Sequence, residues 1–148
     1  MEQVWLEDVV LGATHTVGDY EVTREEIVEF AARWDPQPFH LDEEAASESI
    51  FGGLTACFVH VFSILSRLTT LQERRLAILA GLGFEESRML LPVRPGDRLH
   101  LEIEHLSKRE SRSKPDRGIV ESRFTVVNQR DETAMMTRGL AMVARRPA

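Results

Sequence analysis

Hydrophobic spacing changes character near the middle of this chain. In the first half the apolar positions fall at helical intervals. Thr23 and Glu26 make a capping box, and Ile27, Val28, Phe30 and Ala31 supply an apolar face behind it. The stretch before it, His15 to Thr23, reads as a short strand or extended entry. The helix has to stop at Trp34 or Asp35, because a residue preceding proline is pushed out of the helical region. A second short helix is expected from Leu41 to Ser49, capped by Asp42, with Glu43 and Glu44 in its first turn. Gly52 and Gly53 then break the chain. From Leu54 to about Gln72 apolar residues occupy nearly every side of a helix, which predicts an element in the middle of the fold.

The second half reads as strands. Pro95-Gly96-Asp97 is a turn, followed by alternation at Leu99, Glu102, Ile103 and Leu106. Lys108 to Arg117 reads as a loop, and two further strands follow, joined as a hairpin at Asn128 to Glu132. Helices first and antiparallel sheet afterwards is an α+β pattern. No repeat or linker divides residues 1–148, so a single domain is expected. A sheet of four or five strands covers only part of an all-round apolar helix, which predicts pairing with a second copy.

Composition narrows the partners. A net charge of −6 argues against nucleic acid, which needs a basic surface. The apolar run is too short for a membrane span, and the acidic N-terminus has no basic segment of a secretory signal. The single Cys57 excludes an internal disulfide, and a reducing cytoplasm fits. Lysine occurs only at Lys108 and Lys114 while arginine is plentiful, a bias typical of GC-rich bacterial genomes.

The chemistry concentrates in "WDPQPFHLDEEAASESIFGGLTA". Asp35 and His40 flank Pro36 and Pro38. One reading is a helix stop with an incidental histidine; the other is an acid/base pair on a loop stiffened by two prolines. Asp35, His40 and Asp42 lack a third and fourth partner for a metal, so none is expected. His60 reads as a satisfied core histidine. His15, His100 and His105 read as solvated or interface positions on strands.

This segment resembles the hydratase motif of the MaoC-like dehydratases, the (R)-specific enoyl-CoA hydratases. The match runs through Asp35, Pro38, His40, Ala46, Phe51 and Gly52, with Gln37 where asparagine is commoner. The likeness continues through "LLPVRPGDRLHLEIE", "SRSKPDRGIV" and "VVNQRDE", so it spans about Tyr20 to Pro147. The resemblance implies a hotdog fold: an antiparallel sheet wrapped around a long helix, preceded by a helical overhang that carries the Asp-x4-His loop. It implies a homodimer with an acyl-CoA substrate bound between subunits, and no separate cofactor. The implied reaction is reversible syn addition of water to a 2-enoyl thioester, with Asp35 and His40 as the acid/base pair. Backbone N–H groups near Gly53 and Phe58 would hold the thioester oxygen. Ser66 or Ser63 would support the acid, or else bond its own helix backbone. Arg109, Arg112, Lys114 and Arg117 would contact the phosphates of CoA, or else simply be solvated. Phe58 departs from the family, where many members have glycine. Two other functions compete: a hotdog thioesterase, which lacks this Asp-x4-His loop, and a non-catalytic acyl-CoA-binding subunit, which Phe58 would favour.

Overall fold

Helices from the first half of the chain lie on a sheet made mostly by the second half. The computed structural model describes residues 1–148. Strands β2 (Thr14–Glu21), β4 (Ile78–Met89), β5 (Arg98–Glu110), β6 (Arg117–Val127) and β7 (Thr133–Ala144) form one antiparallel sheet in the order β2-β5-β6-β7-β4. A minor parallel pair joins β1 (Glu2–Val4) to β3 (Arg74–Leu76). Helices α1 (Arg24–Trp34), α2 (Pro38–Leu41) and α3 (Glu43–Glu48) precede the central helix α4 (Phe58–Thr69). This is the hotdog arrangement, α+β as expected. No helix is long and apolar enough to cross a membrane.

The core lies between α4 and the sheet. Val61, Ile64, Leu65 and Leu68 of the helix pack on Val17, Leu99, Leu101, Ile103, Val126 and Met135. The alternation on β5 therefore points Leu99, Leu101 and Ile103 inward; the expected Leu106 falls beside a register shift between His105 and Ser107 and drops out of the set. The hairpin at Asn128 forms as expected, with Asn128 Oδ1 accepting from the N–H groups of Arg130 (2.9 Å) and Glu132 (3.1 Å).

Three expectations need correction. The central helix begins at Phe58 rather than Leu54, and it is buried on one side only: Phe58 is 39% and Val59 46% exposed. Residues 54 to 57 are buried outside any regular element instead, tied to the segment before β5 by Ala56 N–H donating to Val93 O at 2.9 Å. The loop between β5 and β6 is shorter than expected, because β5 continues through Glu110. Strand β4 goes unseen in the sequence, since register shifts around Ala80, Leu82 and Ser87 destroy its two-residue period.

Gly118 marks a close approach at the start of β6. A Cβ there would lie 2.3 Å from the Arg109 carbonyl and 2.4 Å from Leu6 Cδ2. Backbone cannot retreat cheaply, so Gly118→Ala is expected to cost about 1–3 kcal/mol. A thermal melt should show a transition several degrees lower; an unchanged melt would contradict this packing.

Candidate active site

Asp35 is where two demands on one residue coincide. As C-cap of α1 its N–H still donates to Ala31 O at 2.9 Å, and Pro36 ends the helix there. Pro38 then starts the single turn of α2, its fixed φ suiting the first helical position. That turn swings His40 back, so that Nε2 lies 3.6 Å from Asp35 Oδ2. The helix-stop reading and the acid/base reading describe the same geometry.

The surroundings set the state of the imidazole. His40 is 6% exposed, with the Phe39 ring edge-on against it at 4.5 Å. Its Nδ1 lies 2.6 Å from the Thr55 carbonyl oxygen, which can only accept. Nδ1 therefore carries the proton, and in the neutral ring Nε2 keeps its lone pair facing Asp35. At 3.6 Å the two atoms are too far apart for a direct hydrogen bond, but one water set to the side of the line joining them can bond both.

Thr55 was not among the residues singled out, and neither was the side chain that holds its segment. Arg94 Nη1 donates to Gly53 O at 2.8 Å and reaches Leu54 O at 3.4 Å, while Nη2 donates to Phe51 O. The Arg94 backbone N–H donates to Asp97 Oδ2 at 2.8 Å, and Asp97 Oδ1 accepts from Gln129 Nε2 at 2.9 Å. One guanidinium thus fixes the residues that lead into Thr55 and α4. The "PVRPGD" stretch carries no sign of this role until the chain folds.

Of the residues expected near the thioester oxygen, the structure separates Gly53 from Phe58. Gly53 precedes α4 by five residues and its carbonyl is engaged by Arg94, so it does not stand at the helix N-terminus. Phe58 is the first residue of α4, and its N–H and that of Val59 have no backbone partner. The Phe58 ring leans toward Phe62, with centroids 6.1 Å apart, and is not the ring that covers His40. Cys57, the N-cap, is fully buried, and burial pushes its thiol pKa up.

Ser63 Oγ donates to Val59 O at 2.8 Å, the self-bonded alternative. Ser66 is exposed farther along α4; its carbonyl accepts from Thr69 Oγ1, and its hydroxyl bonds neither Asp35 nor His40. His60 is a core residue but not a satisfied one. It is 1% exposed, stacks on Phe30, and neither ring nitrogen is hydrogen-bonded, although Glu26 Oε1 lies 3.6 Å from Nε2. Burial pushes its pKa down, with Glu26 pulling the other way. Glu26 does not close the capping box either: Thr23 Oγ1 accepts from Glu26 N–H at 3.2 Å, but the carboxylate accepts from the Tyr20 hydroxyl. Burial, with that bond adding to it, holds the Tyr20 pKa up at about 12.

The basic tract lies at the far end of the sheet. The dyad's segment contacts the turn just before β5, whereas Arg109, Arg112, Lys114 and Arg117 cluster where β5 ends and β6 begins. A strand of 13 residues at about 3.3 Å each puts roughly 40 Å between them within one protomer. Arg117 is paired with Asp116 at 2.7 Å, and Lys108 Nζ is spent on the carbonyls of Glu7 and Val9.

Comparison with known proteins places the chain in a family. The family model described as "MaoC like domain" matches residues 11–128. The crystal structure of a MaoC-like dehydratase from Rhodospirillum rubrum superimposes with a TM-score of 0.89 at 40% identity, covering 98% of this chain and 99% of that one. An (R)-hydratase from A. caviae involved in PHA biosynthesis shares the fold, with TM-score 0.72 and 23% identity over 95% of this chain and 99% of its own. The uncharacterized protein YdeM of Bacillus subtilis is 29% identical over 85% of this chain and 89% of its own length.

Proposed function

The chain belongs to the MaoC-like domain family of hydratases and dehydratases, and from that premise we propose that it adds water reversibly across the double bond of a 2-enoyl-CoA to give the (R)-3-hydroxyacyl-CoA. The observation that carries the reading is the gap of 3.6 Å between His40 Nε2 and Asp35 Oδ2. A water there donates one hydrogen to each acceptor and turns its lone pair outward, toward a bound C3. As oxygen bonds to C3, the water proton passes to the dyad. The C2–C3 π electrons move onto the thioester oxygen, where the free Phe58 N–H at the positive end of α4 receives the charge. Collapse of this enolate takes a proton from the dyad at C2. Both additions come from one side, which makes the net result syn.

Purified protein mixed with trans-2-butenoyl-CoA should lose the enoyl absorbance without releasing thiol. Thiol release would identify a thioesterase, and neither change across several chain lengths would point to the non-catalytic subunit.

A second copy is part of this proposal. Ile78, Leu79, Leu82 and Phe84 of β4 are each about half exposed, and the strand is an unpaired edge whose Phe84 packs on Phe62 of α4. A 12-residue edge with apolar side chains is an open template for pairing. A dimer through this edge is expected to bury roughly 2,000 Å² or more. Sedimentation velocity at micromolar protein should give one species of twice the chain mass; a folded monomer would count against it.

A further inference from the structure

A cavity of about 1060 Å³ lies between α4 and the inner face of the sheet, and the dyad does not line it. It opens one helical turn beyond Phe58, where Phe62, Phe84 and Phe124 form an apolar wall. Farther along, the lining turns polar. Ser122, 3% exposed, has its Oγ 2.8 Å from His105 Nδ1, and the His15 ring sits 5.9 Å from that of His105. These histidines were read from the sequence as unrelated strand positions; the pairing of His15 with Ile103 and of His105 with Ser122 brings them onto one face.

The hydrogen-bond partners settle which atoms are free. Gln72 Nε2 donates to Thr69 O at 2.9 Å, so its Oε1 is the acceptor for His15 Nε2–H at 2.8 Å. His15 Nδ1 is then a lone pair without a partner. The Ser122 hydroxyl has only His105 Nδ1 to donate to, which leaves His105 Nε2 as an N–H donor open to the cavity. Burial, with His15 adding to it, pushes the His105 pKa down. Among the charged lining residues, Asp8 and Glu73 offset Arg74 and Arg75. The cluster therefore offers one donor, His105 Nε2–H, and one acceptor, His15 Nδ1. An alkyl chain would strip water from both and return nothing. A hydroxyl, donor and acceptor in one atom, satisfies both.

We propose that this cavity receives the distal part of the acyl group, and that His15, His105 and Ser122 select an acyl chain ending in an uncharged hydroxyl over a plain alkyl chain. The proposal rests on the hydratase reading only for where the thioester sits. Phe62 and Ser66 of α4 both line the cavity, and from Phe58 to Ser66 the helix rises about 12 Å, the reach of a medium-length acyl chain.

Calorimetric titration with octanoyl-CoA, 8-hydroxyoctanoyl-CoA and the mono-CoA thioester of octanedioic acid tests this without turnover. The wild type is expected to bind the hydroxy compound about tenfold more tightly than octanoyl-CoA, the worth of one or two hydrogen bonds. His105→Leu should erase that preference, and so should His15→Leu, whose exposed position keeps folding out of the question. Equal or tighter binding of octanoyl-CoA, or a preference that survives both substitutions, overturns the proposal. Tightest binding of the dicarboxylic thioester overturns the uncharged assignment. The hydratase reading is judged separately, by turnover of trans-2-octenoyl-CoA. Full turnover with no hydroxyl preference sinks only the cavity proposal, and a hydroxyl preference without turnover sinks only the hydratase reading.

Discussion

His40→Ala is expected to lose about 10² to 10⁴ of the rate of enoyl-CoA hydration, and Asp35→Asn a comparable factor, the usual worth of a general acid or base. The two substitutions remove different halves of the water's binding site. Alanine deletes the Nε2 lone pair; asparagine keeps the shape of Asp35 but presents a neutral amide in place of the carboxylate 3.6 Å from the ring. Folding should survive in both. Asp35 is about one-third exposed, so asparagine is tolerated there. His40 is buried and its loss leaves the Thr55 carbonyl without its partner, at about 1–3 kcal/mol. Circular dichroism and a thermal melt separate that cost from catalysis. If both variants hydrate at near wild-type rates, the dyad is not the catalyst.

Arg94→Met should lower kcat by about 10²-fold without touching the dyad, the scale of loss that a misplacement of about 1 Å can bring. The guanidinium holds the carbonyls of Phe51, Gly53 and Leu54, the segment that runs into Thr55 and then α4. Thr55 O sets the His40 tautomer, and α4 presents the Phe58 N–H, so both sides of the proposed site depend on this anchor. Arg94→Lys should recover only part of the loss, since an ammonium cannot span three carbonyls with a planar fork. Binding of the saturated acyl-CoA should change less than kcat, because the surfaces that hold it remain. An Arg94→Met enzyme with unaltered kcat would show that the loop is held by other means.

Much of this protein was written locally. Thr23 as a cap, Asp42 capping α3, the Asn128 hairpin and the buried alternation of Leu99 and Ile103 follow from interactions spanning a few residues, so periodicity and capping chemistry reveal them. The dyad was legible for the same reason: Asp35, Pro38 and His40 lie within one turn-and-a-half of chain, and the prolines narrow how they can be arranged. What depended on distant partners was not legible. Strand β4 holds together through its pairing with β7, and its shifted register hides the alternation that would announce it. The start of α4 at Phe58 is decided by residues 54 to 57 being drawn into pairing with Val93, although their own apolar character suits a helix equally well. Arg94 meets its three carbonyls, and His15 meets His105, only across separations of some forty to ninety residues. Side chains carry no mark of such partners, because a hydrogen bond or a ring contact depends on where the folded backbone delivers them. The nearness of Asp35 and His40 was thus determined by sequence, and tertiary structure alone decided what orients the imidazole and what shape of cavity the fold encloses.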